Sequence, residues 1–461
     1  MSSFSSLNTA LTGLYAQQRG LDVTGQNVAN ANTEGYTRQR VTMQSVGGTT
    51  APAVWATQPK VGTGVDVTGV QRLRDSFLEA RAQAEHGREG ALTAEAEAYS
   101  RIEQAYGEPS DTGLQAQLTK LWQAFGDLKN VPDGQAQRQA VLRQAESVTD
   151  GVRRAADYMD TQWHVLREQV VTTVDTVNTV AANVADLNGA IRRATQAGLP
   201  ANELADRRDQ LVMQLADLTG AVARGGSEGT VDVYVGGQAL VRGDSSTRMV
   251  VPAADGALDR LGDDVPVSWA GTEGSPVEVT AGRLGGELRA LTTTIPGQSA
   301  QLDAVAASLR DSVNAAHATG YDATGAPGGA FFGGTSARDL TVAITDGARV
   351  AASSAPGARD GATADALAKL ATRPEGPDAA YRALIVDLGT SAKAVNDRLE
   401  IQGTLTSRVD ASREAQSGVN LDEEMVNLIS YQHAYEGAAR LMTAVDQVLD
   451  TLINRTGVVG R

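Results

Sequence analysis

The sequence has 461 residues, with 40 Lys and Arg against 55 Asp and Glu, and a formal net charge of −15. Phosphate binding needs clustered cations, so the absence of a basic run argues against nucleic acid as a partner, and the acidic balance argues against a polybasic membrane anchor. The lack of cysteine excludes disulfides, thiolate zinc sites and thiol nucleophiles. No apolar run has the length of a bilayer span, and the N-terminus lacks the pattern of a cleaved signal peptide, so we expect neither membrane insertion nor the common secretory route.

The first predicted element is a helix with a narrow apolar stripe. Its apolar residues recur at spacings that favour three and four, which is typical of a coiled-coil seam. The pattern spans few heptads, so a helix packed on its own domain fits it equally well. The stripe comprises Phe4, Leu7, Leu11, Leu14, Leu21 and Val28.

Helices are predicted for most of the middle of the chain. One of them follows Pro132 and runs towards Pro200, a length that indicates an elongated rod. Its apolar stripe keeps the seam spacing and comprises Trp163, Leu166, Val170, Val177, Val180, Val184, Leu187 and Ile191. The other predicted helices cover residues 71–105, 114–129, 202–218, 286–318, 362–372 and 378–416.

A β insert interrupts these helices. The stretch TVDVYVGGQALVR (230–242) alternates valines and then turns at Gly236 and Gly237, which predicts a hairpin. Residues 266–269, 276–280 and 340–344 are further short strand candidates.

The last predicted helix repeats the pattern of the first. Gly418 can end the preceding helix, and Asn420 with Glu423 forms a capping-box-like start. The two apolar stripes can be buried most simply against each other, or against other copies of the chain. The second stripe comprises Met425, Leu428, Tyr435, Ala439, Met442, Leu449 and Ile453.

These elements predict a mainly α fold with a β insert, in an elongated multi-domain rod whose terminal helices form a coiled coil and whose middle is a long helical bundle. We expect residues 1–45 and 418–461 to form the inner coiled-coil domain. Residues 46–220 and 284–417 would form a helical rod with short β segments, and residues 221–283 a small outer β domain.

No arrangement of catalytic or metal-binding residues is evident. The four histidines lack metal-ligand spacing and lie in predicted helices. GGSEG (225–229) fits the nucleophile-elbow pattern around Ser227, but a strand follows it where that motif needs a helix. YDATG (321–325) lacks the register of a calcium loop. The sequence therefore predicts no enzyme and no cofactor.

Several motifs resemble the flagellar rod, hook and hook-associated proteins. ANANTEGYTRQR (29–40) is similar to their Asn-rich signature, and its Tyr-Thr-Arg-Gln continuation is closer to the hook-associated members of the hook–filament junction. The blocks at residues 61–81, 231–241 and 417–457 resemble the same members. The insert is shorter than in the larger members of the family, so we expect one outer β domain.

The resemblance implies a structural subunit that assembles into a ring and contacts the hook protein and neighbouring hook-associated proteins. It also implies unfolded export by the flagellar type III apparatus, with a dedicated chaperone at the C-terminal region. The protein would be cytoplasmic before export and then extracellular, in the flagellum. The alternatives are another axial protein of the hook or distal rod, an exported hydrolase using Ser227, or an adhesin.

The Asn-rich segment is predicted to end the first helix and to dock against adjacent subunits. A simple helix-terminating turn is the alternative, because turn chemistry alone accounts for Asn and Gly. The terminal helices are expected to stay disordered until a neighbour buries their stripes. Besides the stripes, the residues assigned to subunit contacts are Asn27, Asn30, Asn32, Gly35, Tyr36 and Arg38.

Overall fold

The computed structural model describes residues 3–47, 62–252, 261–271 and 275–455. Parts of the predicted domains, at residues 1–2, 48–61, 253–260, 272–274 and 456–461, lie outside this description, as does the side chain of Phe4. The protein is 66% helical, which confirms the mainly α prediction. The helices are α1 (Ser3–Ala29), α2 (Ser76–Tyr106), α3 (Leu114–Asn130), α4 (Gln135–Gln196), α5 (Asn202–Thr219), α6 (Gly282–Arg289), α7 (Ile295–Ala318), α8 (Ala362–Ala368), α9 (Pro377–Ser417) and α10 (Leu421–Asp450).

The strands form small antiparallel sheets. β1 pairs with β2, β7 with β8 and β9 with β10, while β3 to β6 form a four-stranded sheet in sequence order. The strands are β1 (Gln39–Val46), β2 (Gly64–Arg72), β3 (Val222–Gly225), β4 (Val231–Val235), β5 (Gln238–Arg242), β6 (Ser245–Ser246), β7 (Met249–Val250), β8 (Ser268–Trp269), β9 (Phe332–Gly333) and β10 (Thr341–Val342).

The predicted start of a helix at residue 71 is wrong. Residues 71–72 end β2, and α2 begins only after Asp75. The Asp75 carboxylate accepts hydrogen bonds from the amides of Phe77 and Leu78, at 2.8 and 3.3 Å. This N-cap satisfies amides that lack a partner within the helix, so it fixes the first turn at this position.

The long helix α4 is the axis of the rod. Its 62 residues span about 90 Å at the rise of an α-helix. The apolar stripe predicted from the sequence is buried apart from Leu187, which is half-buried, and Trp163 is fully enclosed. The buried cluster around it extends through α2, α3, α7 and α9 and includes the apolar residues of β4 and β5.

A π-helical turn interrupts the helix predicted over 286–318. The Ile295 amide donates to the Ala290 carbonyl, one residue beyond its regular α-helical partner Leu291. The Leu291 carbonyl instead accepts the indole N–H of Trp163 at 3.0 Å. Pro296 follows and has no amide to donate, so a regular ladder cannot continue through this point.

Two buried asparagines on α4 attach the insert. The Asn178 side chain exchanges hydrogen bonds with the backbone of Met249, both at 2.8 Å. Asn188 donates to the carbonyls of Val231 and Gly243, both at 2.7 Å. The predicted hairpin is confirmed as β4 and β5, whereas residues 276–280 contribute only an isolated bridge between Pro276 and Ser268.

Candidate assembly site at the chain ends

The two terminal helices pack along each other. The residues of α1 that are buried are mostly small and include Ala10, Ala16 and Val23. Small residues allow close approach: a Cβ on Gly20 would lie 2.7 Å from the Tyr431 ring of α10. The leucine stripe is therefore not the most deeply buried face of α1. Its members are all half-buried, namely Leu7, Leu11, Leu14, Leu21 and Val28.

The stripe of α10 is also incompletely covered. Its half-buried members are Leu428, Tyr435, Ala439, Met442 and Leu449. Met425 is 51% exposed and Ile453 is 72% exposed. Within one subunit, the terminal helices thus bury only part of the apolar stripes that we predicted to make subunit contacts.

More apolar side chains of α10 and the turn after it are exposed. We call this set the open α10 face. Its members are Leu421, Met425, Val426, Ile429, Leu441, Val448, Leu452 and Ile453.

Asn27 joins the end of α1 to the hairpin and to α10. Its side-chain amide donates to the Gln39 carbonyl at 2.9 Å and to Glu424 Oε2 at 3.1 Å. Its Oδ1 accepts from the Gln39 amide and from the Tyr36 hydroxyl, both at 2.9 Å. Because Asn27 is 1% exposed and its polar atoms are all engaged within the chain, its role in this structure is internal. Its assignment to a subunit surface is corrected accordingly.

Tyr36 and Arg38 complete this cluster. Burial and the nearby carboxylates raise the pKa of Tyr36 to about 12, so its hydroxyl remains a donor to Asn27. Arg38 donates to Glu424 Oε1 at 2.7 Å and to Glu423 Oε2 at 2.6 Å. Sequence reasoning missed these glutamates as partners. The available signal was an arginine in a short polar segment and an acidic start to the last helix.

The remaining Asn-rich residues are accessible. Asn30 is half-buried and donates to the Gln26 carbonyl at 3.0 Å, as expected for the end of a helix. Asn32 and Gly35 are exposed. Gly35 has φ +75°, a conformation that favours glycine. Asn32 and Gly35 line an open groove of about 910 Å³ whose other wall is the C-terminal end of α9.

The structure also places the residues considered for chemistry. GGSEG lies between β3 and β4, so a strand precedes Ser227 where the sequence suggested a helix end, and a strand follows it. The Ser227 carbonyl accepts from the Thr230 amide and hydroxyl, at 3.0 and 2.7 Å, as in a tight turn. His317 is fully buried and hydrogen-bonded through both ring nitrogens. Over the described ranges, no group of three metal-ligating side chains converges.

None of the described helices combines the length and apolarity of a bilayer span.

Comparison with known proteins gives one consistent result. Residues 99–332 match the helical domain of the flagellar hook-associated protein FlgK. Residues 7–37 match the flagella basal body rod protein family, and residues 412–455 match the flagellar basal body rod FlgEFG protein C-terminal family. The matched ends contain most of the terminal-helix stripes and the cluster around Asn27.

Curated relatives share the full length. The flagellar hook-associated protein 1 of Bacillus subtilis is 31% identical, with 100% of both chains aligned. That of Escherichia coli K12 is 24% identical over 97% of this chain and 99% of its own. The solved structure of the flagellar hook junction protein FlgK from Burkholderia pseudomallei aligns with a TM-score of 0.63 and 15% identity, covering 73% of this chain and 99% of that chain, which shows a shared fold. The chain therefore belongs to the FlgK family of flagellar hook-associated proteins.

Proposed function

We propose that this flagellar structural protein is a subunit of the hook–filament junction, where copies assemble into a ring through their terminal helices. The observation that carries the proposal is the open α10 face, which leaves large apolar side chains in water. Exposed apolar surface of this extent is typical of a contact site. The relatives named hook-associated protein 1 and hook junction protein support the location.

The accessible Asn-rich residues would add polar contacts at the same interface. Asn30, Asn32 and Gly35 lie beside the groove at the end of α9, and Tyr36 and Arg38 are half-buried there. A neighbouring subunit, the hook protein or another hook-associated protein would occupy this surface. In this proposal the function is mechanical and involves no catalysis.

The same proposal includes the route to the site. The protein would be held in the cytoplasm by a chaperone bound at its C-terminal region, exported unfolded by the flagellar type III apparatus, and assembled outside the cell. The absence of cysteine supports this route, because no disulfide can form during threading. The small buried side chains of α1 support it as well, because the terminal helices have little core of their own.

The test is the double substitution Met425→Glu and Ile429→Glu, made in a motile strain. Both side chains are exposed in the subunit, so folding should be unaffected. We expect normal secretion of the variant into the medium, with loss of attached filaments seen by electron microscopy. The matched control is Ala444→Glu, which adds a charge at another exposed α10 position.

The two readouts separate export from assembly. A variant that is not secreted would place these residues in export and count against their role in the interface. Normal filaments on cells carrying the double variant would refute the proposed contact.

A further inference from the structure

The elements α1, β1, β2 and α10 pack on one another, and we call them the terminal unit. The rest of the described chain, from α2 to α9, is the rod. Within the described ranges, the large buried apolar cluster runs from Ala98 to Leu388 and includes no residue of the terminal unit. The attachment of the terminal unit to the rod therefore does not depend on that shared apolar core.

Arginines at the end of the hairpin reach across to the rod. Arg72 on β2 donates to Asp206 and Asp209 of α5, both at 2.8 Å. Arg74, in the link to α2, also pairs with Asp209 and contacts Glu79 of α2 at 2.7 Å. The hairpin is thereby tied to two helices of the rod.

The same carboxylates bind two further arginines. Arg413 of α9 contacts Glu79 at 3.1 Å and Asp410 at 3.0 Å. Arg208 contacts Asp209 at 3.0 Å and donates to a backbone carbonyl at 2.7 Å. Four cations meet four carboxylates, so the set is balanced in charge. We call it the ionic cluster: Arg72, Arg74, Arg208, Arg413, Glu79, Asp206, Asp209 and Asp410.

Hydrogen bonds add further connections between the terminal unit and the rod, including those from Asn202 of α5 to Gln39 and Val70, at 3.0 and 3.2 Å. The Thr37 amide donates to Asp206 Oδ2 at 3.2 Å. The Arg38 amide donates to the Ser417 carbonyl at 2.8 Å, at the end of α9. Gln210 of α5 donates to the Glu34 carbonyl at 2.9 Å. These contacts are directional and polar, so they fix an orientation only while the groups that make them hold position.

The ionic cluster is largely shielded from water. Most of its side chains are between 4% and 27% exposed, and Asp410 is 38% exposed. Burial alone would raise the pKa of Glu79, but hydrogen bonds from Arg74 and Arg413 lower it overall. Shielded pairs are screened by salt much less than surface pairs, and removing one partner leaves the other charge uncompensated.

We propose that the ionic cluster locks a joint between the terminal unit and the rod. While it is intact, the two bodies keep one angle. When its charges are removed, they swivel about the two chain crossings at residues 73–75 and 418–420, and each body stays folded. This inference does not depend on the proposed place of the protein in the flagellum.

The test follows the angle between the terminal unit and the rod through the distance between two spin labels in the full-length protein. Because the chain has no cysteine, spin labels at Glu400→Cys on α9 and Gln432→Cys on α10 would be the only ones present. Both positions are exposed. We expect double electron–electron resonance to give one narrow distance distribution. Asp209→Asn removes the carboxylate shared by three arginines and should at least double the width of the distance distribution. In the protein without this substitution, 1 M NaCl should broaden the distribution less than Asp209→Asn does.

Two further variants make the result decisive. Lys393→Gln breaks an exposed ion pair on α9, remote from the joint, and should leave the distribution narrow. Arg72→Gln with Asp206→Asn removes one charge of each sign, and should broaden it without loss of helical circular dichroism. An unchanged width in both cluster variants would overturn the proposal. Global unfolding of both would overturn it too, by showing that the cluster stabilises the bodies themselves.

Discussion

At the scale of single residues, Asn27 shows why an amide can be better than either an apolar or a charged side chain. Its side-chain nitrogen donates two hydrogen bonds, to the Gln39 carbonyl and to Glu424. Its side-chain oxygen accepts two, from the Gln39 amide and the Tyr36 hydroxyl. A carboxylate at this position would lose the donors and would face Glu424 with a like charge. Asparagine suits this position because one short side chain carries both a hydrogen-bond donor and an acceptor.

We predict that Asn27→Leu destabilises the terminal unit by about 2–3 kcal/mol, because it leaves buried polar groups of Gln39 and Tyr36 without partners. The measurement is native-state hydrogen exchange of the β1 and β2 amides. A change of this size lowers protection by roughly 30- to 160-fold. Asn32→Leu, at an exposed position, should change protection little. Equal effects of the two substitutions would contradict the internal role.

His317 is a second buried polar residue with a defined task. Its Nδ1 donates to the Gly329 carbonyl at 2.7 Å, and its Nε2 accepts from the Ala351 amide at 2.8 Å. This pairing requires the neutral ring, and burial lowers its pKa below 6.5. The folded state therefore binds its proton less readily than the unfolded state does.

We predict that the stability from His317 is fully present above its unfolded pKa of 6.5 and is lost as pH falls towards the lower folded pKa. The loss is at most about 1.4 kcal/mol per pH unit. Urea titration should give a larger free energy of unfolding for the unsubstituted protein than for His317→Gln. This difference should become smaller below pH 6.5. A gap that stays constant down to pH 5 would show that the histidine does not titrate in this way.

At the scale of secondary-structure elements, glycine permits a close helix contact in the rod. A Cβ on Gly286 of α6 would lie 2.3 Å from the Ala91 carbonyl oxygen of α2 and 2.8 Å from the Ala94 Cβ. Backbone atoms cannot move aside as a flexible side chain can. The two helices can approach to this distance only because the position has no side chain.

We predict that Gly286→Ala destabilises the protein by about 1–3 kcal/mol through overpacking, despite alanine's higher helix propensity. Gly389→Ala on α9 is the matched control, since a Cβ there meets no atom within 4 Å. That variant should be stabilised by up to about 1 kcal/mol. Thermal unfolding followed by circular dichroism gives both values. The two shifts should have opposite signs, and equal signs would refute the packing argument.

The sequence predicted those elements whose signals are local. The Gly236–Gly237 hairpin, the Asn420 cap of α10 and the long apolar stripe of α4 each depend on residues near one another in the chain. The π-helical turn was not predicted, because Trp163 lies far from Leu291 in sequence. The hairpin of β1 and β2 was missed because polar residues and glycines weaken its alternation. In the candidate site, the stripes follow from local periodicity, but the partners of Asn27 and Arg38 depend on tertiary contacts.

At the scale of the whole molecule, the distribution of buried apolar residues divides the protein. The rod has a large core around α4, with Trp163, Phe125 and Phe331 fully enclosed. The buried apolar residues of the terminal unit are few, namely Ala10, Ala16, Val23 and Val41. Hydrophobic stabilisation is roughly proportional to buried apolar area, so the two parts should differ greatly in stability.

We predict that a fragment of residues 74–417 folds by itself, with a thermal midpoint within about 5 °C of the full chain. It keeps the entire buried cluster of the rod, and of the ionic cluster it loses only Arg72. The opposite fragment, residues 1–73 joined to 418–461, should keep helical structure but unfold at a much lower temperature than the rod fragment, because its core is small. Circular dichroism of both fragments measures this directly. A rod fragment without a cooperative transition would mean that the terminal helices stabilise the rod, and that the stability of the two parts cannot be separated.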